Sequence, residues 1–361
     1  MSHPYESAPP KAFWRLAVSE REPLAISELW DPKFNFLPRQ RIATLGSCFA
    51  QHFSRELKSR GYHWLDAERA PDIFSEQVCR KYNYGIFSAR TGNIYTAAML
   101  LQWLRWAFGV APVPDEVWEK GGRYFDPFRP AIEPDGFASV DELRVNREAT
   151  LRALRRVVAD TQRLVFTLGL TEGWINRSHG YAYAACPGTI AGTFDAAQHA
   201  FKNYSYNEIH RDLGEVIRLM RPHNAKLRVM LTVSPVPLTA TASDKHVLTA
   251  TTYSKSVLRA VAGQLADINR FVDYFPSYEI VTGTPFQGMF YEANKRNVSP
   301  DGVKFVMDSF FAALEQKFGK VQAPAKPARP AAARPAPELE AEDDLVCEEI
   351  MLDAFAPSER K

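Results

Sequence analysis

The chain has no apolar run approaching the roughly 20 residues a membrane-spanning helix needs, so no bilayer segment and no membrane partner are expected. It has little charge imbalance. Forty-four Lys and Arg stand against 42 Asp and Glu, a formal charge of +2, which argues against the clustered basic face of a nucleic-acid binder. Cysteine is scarce: Cys48, Cys79, Cys186 and Cys347 are widely scattered, with neither CxxC pairs nor the Cys/His spacing of a zinc site. Reduced thiols are expected, with no metal and no cofactor implied. The first twenty residues carry Pro, Glu and Trp without the apolar stretch of a secretory signal, so the expected location is the cytoplasm. Internal repeats are lacking too.

What the sequence does hold is 46% hydrophobic residues over 361 positions, enough for one large core or two moderate ones. Short apolar runs resembling buried parallel strands alternate with helical patterns, which predicts a layered α/β domain with a mostly parallel sheet. Strands are predicted at Arg41–Leu45, Leu164–Leu168, Leu227–Val233 and Val272–Phe275. Apolar residues at three- and four-residue spacing predict helices near Phe49–Arg60, Asn93–Phe108, Asp141–Asp160, Tyr206–Met220, Val247–Ile268 and Gly302–Phe318. Trp103, Trp106 and Phe108 form an aromatic stripe of the kind that packs into a core.

The chain divides into an N-terminal extension (1–40), an α/β domain (41–319), a Pro/Ala-rich linker (320–340) and an acidic tail (341–361). From Lys320 to Pro337, Ala, Pro, Lys and Arg dominate, and such a composition buries too little apolar surface to offset chain entropy. In the tail, Val346/Ile350 and Cys347/Met351/Phe355 recur at four-residue steps. Two readings stay open: a short helix docking on this domain, a second copy or a protein partner, or a disordered solubilising tail.

The chemistry concentrates at Gly46-Ser47-Cys48-Phe49-Ala50, between the first predicted strand and its helix. A glycine permits the tight turn, and the helix N-terminus offers unpaired N–H groups to a developing anion, which makes Ser47 a candidate nucleophile. The plainer alternative is that Ser47 caps the helix. Ligands of α/β sheets gather at the carboxyl ends of the strands. There, Gly169-Leu170-Thr171-Glu172-Gly173-Trp174, Ser234-Pro235-Val236-Pro237-Leu238 and Asn83-Tyr84-Gly85-Ile86-Phe87 carry polar and glycine-rich loops. Cys48 is the weaker nucleophile, because neighbouring side chains on such a corner point apart and a buried cysteine more often packs.

The pentapeptide, together with Asn83–Ser88, Thr167–Glu172, Thr232–Val236, Tyr253-Ser254-Lys255-Ser256 and Tyr274–Glu279, resembles the GSCFA-domain family over roughly Arg41 to Phe311. That family resembles the SGNH, or GDSL-like, hydrolases, so the resemblance implies a flavodoxin-like three-layer α/β/α fold acting on acyl esters. Carried over residue by residue, it implies Ser47 as nucleophile and Gly85 as the oxyanion glycine. The third block, Gly-x-Asn-Asp in the hydrolases, falls on Gly169-Leu170-Thr171-Glu172, so Gly169 and Thr171 join the oxyanion region and a hydroxyl donor replaces an amide. The fourth block, Asp-x-x-His, falls on Asn294-Lys295-Arg296-Asn297, and amides there cannot accept a proton at neutral pH.

The base is therefore sought elsewhere. His246, two residues from Asp244, is the first candidate, since an imidazole titrates near neutrality; the alternative is an idle histidine at a helix start. Glu172 is the second, if burial beside Trp174 raises its pKa, the alternative being a salt bridge with Arg90 or Arg177. His179 and His210 are weaker still. The expected function is a serine-dependent ester hydrolase or O-acyltransferase acting on a small-molecule or saccharide ester. Asn294 and Asn297 favour the alternative, a non-catalytic member that binds a carbohydrate or an acylated ligand.

Overall fold

The computed structural model describes residues 3–321 and 346–357. Strand β1 (Ile42–Gly46) is followed by α1 (Phe49–Ser59), α2 (Glu76–Lys81), α3 (Ala97–Ala107), a hairpin of β2 (Trp118–Lys120) and β3 (Arg123–Phe125), and α4 (Val140–Asp160). Then come β4 (Arg163–Leu168), β5 (Glu172–Asn176), β6 (Ala182–Tyr183), β7 (His199–Asn203), α5 (Tyr206–Met220) and β8 (Arg228–Val233). The described order closes with α6 (Val247–Ile268), β9 (Val272–Phe275), α7 (Ser277–Thr282), α8 (Pro300–Phe318) and a 3-10 turn at Glu348–Phe355.

Strands β1, β4, β8 and β9 form one parallel sheet in the order β1-β4-β8-β9. Their sequences are continuous apolar runs because both faces are covered. Alternate side chains feed the two faces: Leu164, Phe166, Val229 and Leu231 pack toward α3, α4, α5 and α6. Val165, Met230 and Phe275 pack toward α1, α7 and α8, so the sheet is the middle of three layers. Trp30, Phe34 and Phe36 of the segment preceding β1 are buried in that second face, where Trp30 stacks on Phe310 at 5.2 Å. Trp103 and Trp106 lie in the first face, as their stripe on α3 predicts.

Helix starts are set locally. Ser205 and Glu208 close a capping box at α5, and Ser139 accepts from the Glu142 N–H at α4 with Asp141 and Glu142 in the positive first turn. The Thr96 hydroxyl accepts from the Met99 N–H, so α3 begins after it. Asn93, Ile94 and Tyr95, expected within a helix, lie before it in a segment without helix or strand, and this difference shapes the site. A second departure is the small antiparallel sheet β6-β5-β7 beyond β4, in which Glu172 pairs with Asn203. No described helix is long and apolar enough to cross a membrane.

Candidate active site

Residue 46 has to be glycine for β1 to lie this close to β4. Its φ is +129°, and a Cβ there would come within 2.3 Å of the Thr167 carbonyl oxygen. The Ser47 N–H donates to that same oxygen at 3.1 Å, and the Ala50 N–H donates to the Ser47 carbonyl as α1 begins. The Ser47 side chain caps nothing: Cys48 occupies the N-cap position, and Ser47 Oγ is buried without a hydrogen-bond partner. The residue is 2% exposed.

Gly169, at the end of β4, abuts it. A Cβ at 169 would lie 3.0 Å from Ser47 Cβ and 3.0 Å from the Tyr95 carbonyl oxygen, which already accepts from the Gly169 and Leu170 N–H groups. The Ile94 N–H donates to the Gly46 carbonyl at 2.8 Å. These bonds stitch the Asn93–Tyr95 segment to the Ser47 corner. On the other side, Lys255 of α6 donates from Nζ to the Gly169 carbonyl at 2.7 Å and is 1% exposed. Burial lowers its pKa from 10.5 to about 8, with Glu349 and Cys48 pulling upward against that fall.

Two amides complete the corner. Gln51 Nε2 donates to Asn93 Oδ1 at 3.2 Å, which orients both side chains. Gln51 Nε2 and Asn93 Nδ2 then converge on the carbonyl oxygen of Val346, at 2.8 and 2.7 Å, and the Val346 N–H returns to Gln51 Oε1. Asn93 Nδ2 and the Tyr95 hydroxyl both donate to Glu348 Oε2, at 2.6 and 2.9 Å. Arg296 lies 3.5 Å from Glu349, and a hydrogen bond to Cys347, followed by burial, raises the Cys48 thiol pKa. The C-terminal segment therefore sits in the cleft itself. Beyond it opens a cavity of about 510 Å³ whose walls include Met99, Leu170, Trp174 and Phe201, with Leu352 and Phe355 from the tail.

Of the other residues singled out from the sequence, Gly169 is beside Ser47 and Thr171 is two residues farther on. The Thr171 N–H donates to Ser254 Oγ, and its own hydroxyl is buried without a partner. Glu172 lies in the cavity wall, raised in pKa by burial and bonded to Thr241 Oγ1 at 2.9 Å. The salt bridges considered for it do not form: Arg90 pairs with Glu68 and Glu133, and Arg177 Nε donates to the Ala196 carbonyl.

His246 and Gly85 are placed differently from their expected roles. His246 is exposed and caps α6, its Nδ1 accepting the Leu248 N–H at 3.2 Å, so its acceptor nitrogen is engaged in holding a helix start. Gly85 receives Lys58 Nζ on its carbonyl. Lys58 is in the last turn of α1, roughly 15 Å along the helix from the Ser47 corner at the usual rise per residue. No described histidine or carboxylate bonds to Ser47 Oγ.

Sequence reasoning gave no role to Gln51, Asn93, Lys255 or Arg296, and took Tyr95 only as an aromatic at the rim. A signal existed for Lys255, a lone cation on the buried stripe Ala250, Ser254, Leu258, Val261 of α6. At the Asp-x-x-His position, Asn294 Oδ1 takes the Arg296 and Asn297 N–H groups to form a turn, and the residue it sends toward the tail is Arg296.

Residues 41–310 match the model of the GSCFA family. A solved structure named as a platelet activating factor from Streptococcus pneumonia shares 13% identity over 48% of this chain and 67% of that chain, with a TM-score of 0.28. No curated protein sequence matches.

Proposed function

The chain belongs to the GSCFA family, and on that premise we propose that it is a serine-dependent acyl-ester hydrolase or O-acyltransferase of SGNH-like mechanism. The observation that carries this reading is an unbonded serine hydroxyl at a glycine-closed strand-to-helix corner, next to a glycine whose carbonyl holds a desolvated lysine. Ser47 Oγ attacks the ester carbonyl carbon while neutral Lys255 takes the hydroxyl proton. Gln51 Nε2 and Asn93 Nδ2 stabilise the oxyanion, in the positions where they now hold the Val346 carbonyl. Collapse expels the alcohol oxygen, which takes the proton back from Lys255. Water or an acceptor hydroxyl then resolves the acyl-enzyme by the reverse sequence.

Lysine suits this role when its pKa is depressed. At about 8, roughly a tenth of Lys255 is neutral at pH 7, against under about a thousandth for an ordinary lysine. A saccharide carrying the acyl group fits the flat apolar face that Trp174 offers in the cavity wall.

Incubation of the purified chain with a fluorophosphonate should add the probe mass to Ser47, and Ser47→Ala should abolish both that adduct and turnover of p-nitrophenyl acetate. Equal turnover by the two proteins would leave the second reading, a ligand-binding member of the family, which the amides at 294 and 297 favour.

A further inference from the structure

We infer that the cleft beside Ser47 is a subsite for a carboxyl-bearing acyl ligand, and that residues 346–357 are a built-in competitor that mimics it. The inference rests on the Ser47 reading for the word acyl, and on geometry alone for the rest. Three features of the docked segment repeat what such a ligand would present. Its Val346 carbonyl oxygen lies between the two side-chain amides of Gln51 and Asn93. The Glu348 carboxyl, two residues on, enters a pocket made for it: Asn93 Nδ2 and the Tyr95 hydroxyl donate to one oxygen, and Gly92 makes room for the other. A Cβ at Gly92 would stand 3.3 Å from Glu348 Oε1, so that glycine leaves the carboxyl its space. Farther along, Leu352 and Phe355 cover the apolar cavity, and Glu349 faces Arg296.

The pocket donors are themselves built in. Asn93 is 0% and Tyr95 5% exposed, and the Gln51–Asn93 bond orients the amides independently of the tail. Such a preorganised set of donors around a carbonyl and a carboxyl is recognition chemistry, and the segment filling it competes with any ligand using the same groups. The tail does not complete a catalytic machine: Ser47 Oγ is buried and takes no bond from it. Ligand and tail are mutually exclusive occupants, and the segment restrains the site until it is displaced.

The test uses the full chain and a fluorescein-labelled peptide copying residues 346–357 with Cys347→Ser. The wild type, its cleft filled in cis, should bind the peptide weakly. A chain carrying Glu348→Ala and Glu349→Ala should bind it at least tenfold more tightly, and a peptide with Ala at both Glu positions, which offers Asn93, Tyr95 and Arg296 no acceptor, should lose that gain. Adding Asn93→Ala, or Arg296→Met in case the first variant unfolds, should also lose it. Equal binding by the wild type and the double variant, or binding indifferent to the loss of both carboxyls in the Ala peptide, would overturn the proposal. Fluorophosphonate labelling of Ser47 should rise in the double variant; peptide competition without any labelling would sink the catalytic reading and leave the subsite standing.

Discussion

At the residue scale, Lys255 carries the proposed proton transfer, a role for which the sequence offered His246 and Glu172. The fall of its pKa from 10.5 to about 8 corresponds to roughly 3 kcal/mol against the charged form at neutral pH. Lys255→Met removes that penalty and leaves the Gly169 carbonyl unpaired, at a cost of about 1–3 kcal/mol, so the two effects nearly cancel. Urea midpoints should therefore shift little, while Ser47 labelling should fall by roughly 10²-fold or more. The proposed mechanism makes the neutral amine the base, so the wild-type labelling rate should climb with pH to a midpoint near 8; a midpoint near 6.5 would return the role to a histidine. Ser47 could be read in advance because everything defining its corner is local: an apolar strand, a glycine, a helix start. Lys255 left only a trace, a lone cation on the buried stripe of α6, because its partner is a carbonyl 86 positions away. His246 was chosen for its chemistry, whereas its place at the start of α6 makes it a cap.

At the scale of elements, the four parallel strands and the long helices followed from apolar runs and caps, which are properties of contiguous sequence. The β5–β7 sheet did not. Its strands are two to five residues long and its pairing joins Glu172 to Asn203, so no window holds the signal. The tail is the sharper case. Its four-residue apolar steps suggested a docking helix; the structure gives a 3-10 turn whose strongest anchors are polar, and polar complementarity to a distant pocket leaves no periodicity to read. The docked segment should respond to pH. Burial, then the nearby Cys347, raises the Glu349 pKa to about 8 against the downward pull of Arg296 and Lys255, and Glu348, facing Asn93 and Tyr95, is also raised, chiefly by burial. Docking thus takes up protons. Its stability is full below the carboxyls' ordinary value near 4.5 and is lost as pH rises through about 8. Hydrogen exchange at residues 346–357, corrected for the intrinsic rate, should show greater protection at pH 6 than at pH 9; equal protection would mean that these carboxyls do not control the segment.

At the scale of the whole molecule, a buried charge network lies behind the loop that carries Asn93. Asp126, 1% exposed, accepts from Arg129 Nε at 2.9 Å and from both Nε and Nη2 of Arg147 on α4. Burial alone would raise its carboxyl; Arg147 and Arg129 outweigh that and hold it below the usual range. Arg129 in turn donates to the Arg90 carbonyl at 3.0 Å and to Thr150 Oγ1, and Arg90 opens the short segment Arg90-Thr91-Gly92-Asn93 that carries the cleft amide. The network thus clamps α4 to the strand-end loop across the first core face. Asp126→Asn leaves two buried guanidiniums short of a counter-charge and should cost about 3–5 kcal/mol in urea unfolding. For the wild type, the stability Asp126 contributes is present above the ordinary aspartate pKa and is lost as pH falls through its lowered folded value. Because the same clamp positions Asn93, the folded fraction of Asp126→Asn should also bind the tail-copying peptide less well than wild type, even when both carry the Glu348→Ala and Glu349→Ala changes. An unchanged affinity in that background would mean that the loop holds its amide through the Gly46–Ile94 and Gly169–Tyr95 bonds alone, and that the network serves stability without shaping the site.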